Sequence, residues 1–216
     1  MHDLGPPALP DQSEDTLLLA TLVASRICHD IVGPVGAIAN GIDLMAEAGG
    51  EAEEIDLVRQ STDRAASMLR ILRIGFGSAS AEGRGMSRGA LVEVLRKAIS
   101  GRRVSLLVTG EEGDDLTSET ARLVTLMVLS ARIALGLSGQ IEVVFSHDRE
   151  LPLRVTAEGE RAALSPEAAN WLSGALNPAP ASREVEFAML AQAAAAAGLQ
   201  LTFDHQDGRV TLCVAH

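Results

Sequence analysis

A chain of 216 residues can bury a core and fits one large domain or two small ones, at roughly 100 to 200 residues each. Apolar residues make up 47% of it but aromatics only 2%, with no Tyr, so Leu, Val, Ile and Ala must do the packing, which suits helices. With 29 acids against 18 bases the formal charge is −11; that field repels phosphate backbones and anionic headgroups and sets nucleic acid and membrane surfaces aside as partners.

The longest uncharged stretch, 187–203, contains Gln192, Gln200 and a run of Ala, and Met1-His2-Asp3 lacks the basic start of a signal peptide. Cys28 and Cys213 stand far apart in unlike contexts, which indicates neither a disulfide framework nor a metal cluster. These features predict a soluble protein of the reducing cytoplasm.

Residues 1–12 carry three Pro and no apolar period, so they read as a loose tail. From 13 to 76 the pattern is that of a helical hairpin. Leu17, Ala20, Ala24, Ile27, Ile31, Val35, Ile38, Ile42 and Met45 recur at spacings of three and four; after Gly49-Gly50 a second stripe runs Ile55, Val58, Thr62, Ala65, Leu69, Leu72, Phe76. Two such helices joined by a short turn run antiparallel, and a hairpin that cannot bury its own seam predicts a second copy completing a four-helix bundle, hence a homodimer. Residues 77–87 gain Gly and Ser and lose the period, as a linker does.

Residues 88–216 alternate between helix and strand. The patterns predict a helix at 88–99, a strand at 103–109, a helix at 117–136, strands at 140–146 and 151–157, helices at 166–175 and 183–197, and a closing hairpin around Asp207-Gly208. The fold class is therefore α+β: a dimerising helical hairpin followed by a sheet layered against helices.

The chemistry concentrates on the first helix. His29 is about 200° around the helix from both Ile27 and Ile31, so it faces away from the seam and is predicted to be exposed. Along its face lie Ser25, Gly33, Gly36, Ala37 and Asn40, a nearly bald stripe. Gly in a helix interior costs ~1 kcal/mol against Ala, and close approach by another protein's backbone would account for two of them. Pro34 removes the N–H that would reach Asp30's carbonyl, which predicts a local kink. Cys28, beside the seam, reads as a packing residue; His147, His205 and His216 read as surface residues. The acids Asp43, Glu47, Glu51, Glu53, Glu54 and Asp56 read as a solvated hairpin tip.

His29-Asp30-x-x-x-Pro34 on the first helix of such a hairpin resembles the phosphoacceptor box of two-component histidine kinases, His-Glu/Asp-x-x-x-Pro. The longer run Cys28-His29-Asp30 through Pro34-Val35-Gly36-Ala37-Ile38 to Asn40-Gly41 is similar to the alphaproteobacterial histidine phosphotransferases of the ChpT family. That resemblance implies that 88–216 has the layout of a kinase ATP-binding domain. Such a domain needs an Asn on its second helix, an Asp-x-Gly-x-Gly after its third strand and a Gly-rich lid. Here 117–136 has no Asn, the run after Ala157 is Glu158-Gly159-Glu160-Arg161, and 176–197 has no Gly. The three departures leave nothing to cradle a triphosphate, so a degenerate scaffold domain without bound cofactor is expected.

By the same resemblance His29 is the phosphoryl carrier through its ε nitrogen, Asp30 acts on its ring, and Mg²⁺ belongs to the partner receiver domain. The implied partners are the receiver of a hybrid histidine kinase and response regulators of the CtrA and CpdR kind, in a cell-cycle phosphorelay. Ser25, Arg26, Gly33, Gly36, Ala37 and Asn40 form the expected partner surface. Arg70 and Arg73, level with His29 across the hairpin, are expected to attract the receiver's acidic pocket. The competing readings are a non-catalytic docking scaffold and a kinase with unusual nucleotide contacts.

Overall fold

The computed structural model describes residues 12–48, 52–77, 85–101, 103–110, 112–113, 115–146, 153–176 and 179–215. Two long helices open the chain, α1 (Gln12–Ala48) and α2 (Ala52–Phe76). The Gly49-Gly50 turn, the tail 1–11, most of the expected linker, and His147 and His216 lie outside the described residues. Helix α1 continues through Pro34. At Gly41 an added Cβ would stand 2.5 Å from Val58 Cγ2, so the two helices approach there at a distance only Gly allows.

Then follow α3 (Arg88–Ile99), β1 (Val104–Thr109), α4 (Ser118–Leu135), β2 (Gly139–Phe145), β3 (Leu153–Glu158) and α5 (Pro166–Leu172). A short 3₁₀ turn (Ser182–Glu184), α6 (Val185–Ala196), β4 (Gln200–Gln206) and β5 (Arg209–Ala215) complete the chain. Ser87, Thr117 and Ser165 cap α3, α4 and α5, each accepting a backbone N–H three residues on, at 3.2, 3.2 and 3.0 Å; such caps contribute ~1 kcal/mol each.

The five strands form one sheet in the order β1-β2-β3-β5-β4, with β1 and β2 parallel and the other pairs antiparallel. The parallel pair needs a crossover, which α4 supplies. Alternation then sorts the faces. Val104, Leu106, Val108, Ile141, Val143, Val155, Val210 and Leu212 are buried, while Ser105, Leu107 and Arg154 point to solvent from the opposite face. Helix α4 is the hub, packing on β2, β3, β5, α6 and α2, with Val124, Leu126, Met127, Val128 and Leu135 closed off from solvent.

One continuous core joins the two halves. Leu19 of α1 and Ile71 and Leu72 of α2 belong to the same buried cluster as the sheet, and the Arg122 guanidinium donates through Nε to the Gly75 carbonyl at 3.1 Å. Helix α1 itself packs on α6 and the 3₁₀ turn.

The seam expected from the apolar period divides in two. On α2, Ala65 and Leu72 are buried and Val58 partly so, whereas Ile55, Thr62 and Leu69 are exposed. On α1, Ile27, Ile31, Ile38 and Met45 are partly covered, whereas Leu17, Ala20, Ala24, Val35 and Ile42 are open. A single hairpin has one partner helix per face, so it can cover only one flank of a stripe this wide. Cys28, expected to pack, is likewise exposed, in line with Leu17, Ala24, Val35 and Ile42. By length and apolar content α1 passes as a membrane span, yet its Arg26 and Asp30 are bonded within the protein, which fixes this helix against α6.

Candidate functional site

His29 projects from α1 with its side chain 71% exposed. At about 100° per residue it lies roughly a third of a turn around from the open apolar stripe. Its Nδ1 sits 3.2 Å from Oδ1 of Asp30. In the tautomer that carries its proton on Nδ1 the ring donates to this oxygen, and Nε2 is then the nitrogen with the free lone pair.

Asp30 is held in turn. Arg26, one helical turn earlier, donates from Nη1 to the same Oδ1 at 2.6 Å and from Nε to Oε1 of Glu186 at 2.6 Å. Glu186 stands in the first turn of α6 and its side chain is fully buried. Burial pushes its carboxyl up, more than the Arg26 charge and hydrogen bond pull it down. Its second oxygen, Oε2, is buried without a hydrogen-bond partner. Arg26, expected on the partner surface, is thus turned inward, because the buried Glu186 carboxylate beneath α1 draws it there. Glu186 was invisible as a site residue in the sequence: a single Glu inside the apolar run Val185–Leu190 offers only the hint that such a charge needs a partner.

Beside this network opens a cleft of about 510 Å³ between the hairpin and the second half, lined among others by Asp30, Arg26, Arg64, Arg132 and Arg183. Four guanidinium groups face one lining carboxylate in a protein whose net charge is −11. Burial and the nearby Arg64 charge lower the Arg132 pKa, and Arg132 also donates from Nη1 to the Gly136 carbonyl at 2.7 Å. Arg70 and Arg73 lie elsewhere. They line a cleft of about 420 Å³ between α2 and α3 together with Glu93 and Lys97, and no α1 residue lines that cleft. Level position along the hairpin put them beside His29 in the sequence; their direction around α2 takes them toward α3.

Ser25, Gly33 and Asn40 are exposed and Gly36 and Ala37 partly so. A Cβ added at Gly33 or Gly36 would meet no atom within 4 Å, so nothing inside the described protein requires glycine there. In the second half, the run in place of an adenine motif serves the sheet instead. A Cβ at Gly159 would lie 2.4 Å from the Ser138 carbonyl oxygen, Gly159 N–H donates to Gly208 O at 2.9 Å, and Glu158 pairs with Arg209. Among the described residues no group of three or more His, Cys, Asp or Glu side chains is placed to hold a metal ion. Of the expected acidic tip, Asp43 and Glu53 are exposed and Asp56 bonds Arg59 and Gln60; the Glu47 side chain and Glu51 lie outside the described residues.

Comparison with known proteins agrees with this layout. The chain is 45% identical over 65 residues to a protein phosphotransferase ChpT of Brucella abortus (strain 2308), an alignment covering 30% of this chain and 31% of that relative. The chain thus aligns with less than a third of the curated relative's length. A bacterial phosphotransferase structure solved at 1.7 Å superposes with a TM-score of 0.74 at 23% identity, covering 96% of this chain and 98% of the other; that likeness shows a shared fold. Residues 88–209 match the model of the histidine phosphotransferase C-terminal domain, and the chain belongs to that histidine phosphotransferase family.

Proposed function

We propose that this chain is a phosphorelay intermediate, taking a phosphoryl group from the aspartyl phosphate of one receiver domain onto His29 and passing it to the Asp of another. The observation that carries this reading is the exposed His29 ring with Asp30 on its Nδ1. The Nε2 lone pair attacks phosphorus, the N–P bond forms as the O–P bond of the aspartyl phosphate breaks, and the receiver recovers its carboxylate. The ring keeps its Nδ1 proton, and Asp30 offsets the positive charge that develops on it. Delivery to the second receiver is the reverse exchange. The transfer is then largely a matter of positioning and charge neutralisation.

The bald face around His29, with Ser25, Gly33, Gly36, Ala37 and Asn40, is the surface for the receiver. Arg64, Arg132 and Arg183 in the adjoining cleft supply positive charge for its acidic pocket, with Arg70 and Arg73 as the more distant basic pair. The open stripe Leu17, Ala24, Val35, Ile42 and, on α2, Ile55 and Leu69 supports a homodimer in which a second hairpin completes a four-helix bundle. The donor in this reading is the receiver of a hybrid histidine kinase, and the acceptors are response regulators of the CtrA and CpdR kind.

The test is transfer in the purified system. A receiver labelled with ³²P-phosphate should hand acid-labile label to the wild-type chain and none to His29→Gln, and the labelled chain should then pass it to a second receiver. Binding of the receiver without any label on the chain would make it a docking scaffold.

A further inference from the structure

We infer that Glu186 is a positioning residue for the phosphoacceptor, fixing the His29 ring from the second half of the chain through Arg26 and Asp30. The inference rests on the phosphotransfer reading above and adds a task for the second half: it holds the nucleophile in one tautomer and orientation. Three contacts run from Glu186 to His29, the first spanning 160 positions of sequence: Glu186 Oε1 to Arg26 Nε at 2.6 Å, Arg26 Nη1 to Asp30 Oδ1 at 2.6 Å, and Asp30 Oδ1 to His29 Nδ1 at 3.2 Å.

Two features separate this chain of contacts from an ordinary surface ion pair. First, Glu186 is fully buried, and one of its two oxygens has no hydrogen-bond partner among the described residues. Taking a carboxylate out of water is unfavourable, and an apolar residue of similar volume serves packing as well or better. The neighbours Val185, Phe187 and Ala188 are apolar and buried, so the fold has no packing reason to keep an acid at this place. Second, the guanidinium is used as a fork. Its Nε points at one carboxylate and its Nη1 at the other, a geometry that a lysine ammonium does not reproduce.

The consequence for His29 follows from the accepting oxygen. Without Arg26, the Asp30 carboxylate, 12% exposed, could turn among rotamers toward the adjoining cleft. Gripped by Arg26, whose other arm is anchored in the protein floor, its Oδ1 stays beside Nδ1. The ring then keeps its proton on Nδ1 and presents Nε2 to the partner, as an orienting carboxylate does for a catalytic histidine elsewhere. Because α1 and α6 belong to different halves, the arrangement also ties reactivity at His29 to the seating of the hairpin on the second half.

The experiment reads the ring directly and needs no partner. In the full-length protein labelled with ¹⁵N-histidine, long-range ¹H–¹⁵N spectra report which ring nitrogen of His29 carries the proton. The wild type should show mainly the Nδ1–H tautomer, against the Nε2–H preference of free histidine. Glu186→Ala should move His29 toward the free-histidine pattern and slow transfer from a phosphorylated receiver by ~10- to 100-fold, the scale on which misplacing a reacting group acts. Glu186→Gln, which keeps an oxygen facing Arg26, should retain most of both. Should Glu186→Ala fail to fold, Arg26→Lys removes the fork while leaving the buried acid its counter-charge, and it should give the same tautomer shift. A wild-type tautomer in folded Glu186→Ala or in Arg26→Lys overturns the inference, as does slower transfer with the tautomer unchanged, which marks a merely structural role. A tautomer shift in a protein that accepts no phosphoryl group from any receiver leaves the positioning network standing and removes the phosphotransfer reading instead.

Discussion

Leu69 and Leu72, three residues apart on α2, have opposite fates: Leu72 is 1% exposed and Leu69 48%. Leu72 sits in the core shared with the sheet, while Leu69 continues the open line through Ile55 and Thr62. Leu72→Asp should therefore unfold the chain, since it drives a charge into a closed core. Leu69→Asp should leave the secondary structure and the monomer fold intact and abolish the proposed homodimer. Circular dichroism with light scattering checks both; a Leu69→Asp protein that remains dimeric contradicts the four-helix arrangement.

The bald face allows a separation of stability from activity. With no atom within 4 Å of a Cβ at Gly33 or Gly36, Gly33→Ala and Gly36→Ala should each raise stability by up to ~1 kcal/mol through helix propensity. If a receiver's backbone closes on this stripe, the same variants should lower the transfer rate. Thermal melts and transfer kinetics on the same samples decide it; a lowered midpoint contradicts the propensity gain, and unchanged kinetics removes the close-approach role.

The two basic pairs make different predictions. Arg64 and Arg183 line the cleft that contains Asp30, and Arg70 and Arg73 line the one beside α3. Arg64→Ala with Arg183→Ala should slow receiver association more than Arg70→Ala with Arg73→Ala does. The deficit should shrink as salt shortens the screening length, which is ~10 Å at 0.1 M. Stopped-flow association at two ionic strengths tests this, and a larger effect from the Arg70 and Arg73 pair would reverse the assignment.

Glu186 gives a pH signature. Its carboxyl is raised in the folded state by burial, with Asp30 adding to the rise and Arg26 opposing it. The folded chain therefore binds this proton more tightly than the unfolded chain does, and the contribution present below the ordinary value of 4.5 is lost as pH rises through the folded value. Glu186→Gln, which cannot ionise, should gain in melting temperature relative to wild type as pH is raised from 4.5 toward neutrality. A difference that stays flat across that range contradicts a raised carboxyl.

Much of this architecture is legible in local pattern, because helices and strands announce themselves through period and caps: Ser165-Pro166 starts α5 and Asp207-Gly208 turns the last hairpin, with Gly208 at a φ of +74°. His29 reads as exposed from its angle to Ile27 and Ile31 alone. What the sequence hides is direction around a helix and contact across distance. Leu69 and Leu72 share one apolar stripe and only packing separates them, and Arg70 is level with His29 yet turned to α3. The Arg26–Glu186 bond joins two residues whose own neighbourhoods give no sign of each other, since long-range pairing depends on how α6 seats on α1.

Phosphorylation of His29 is the step on which the proposed relay depends, and the position of the phosphoryl group can be measured. After transfer from a labelled receiver, ³¹P and imidazole ¹⁵N spectra of the trapped phosphoprotein identify the bonded nitrogen. The prediction is one phosphoryl group per modified chain, on Nε2 of His29, with the proton retained on Nδ1 toward Asp30. A phosphoryl group on Nδ1, on any other residue, or on none would contradict it.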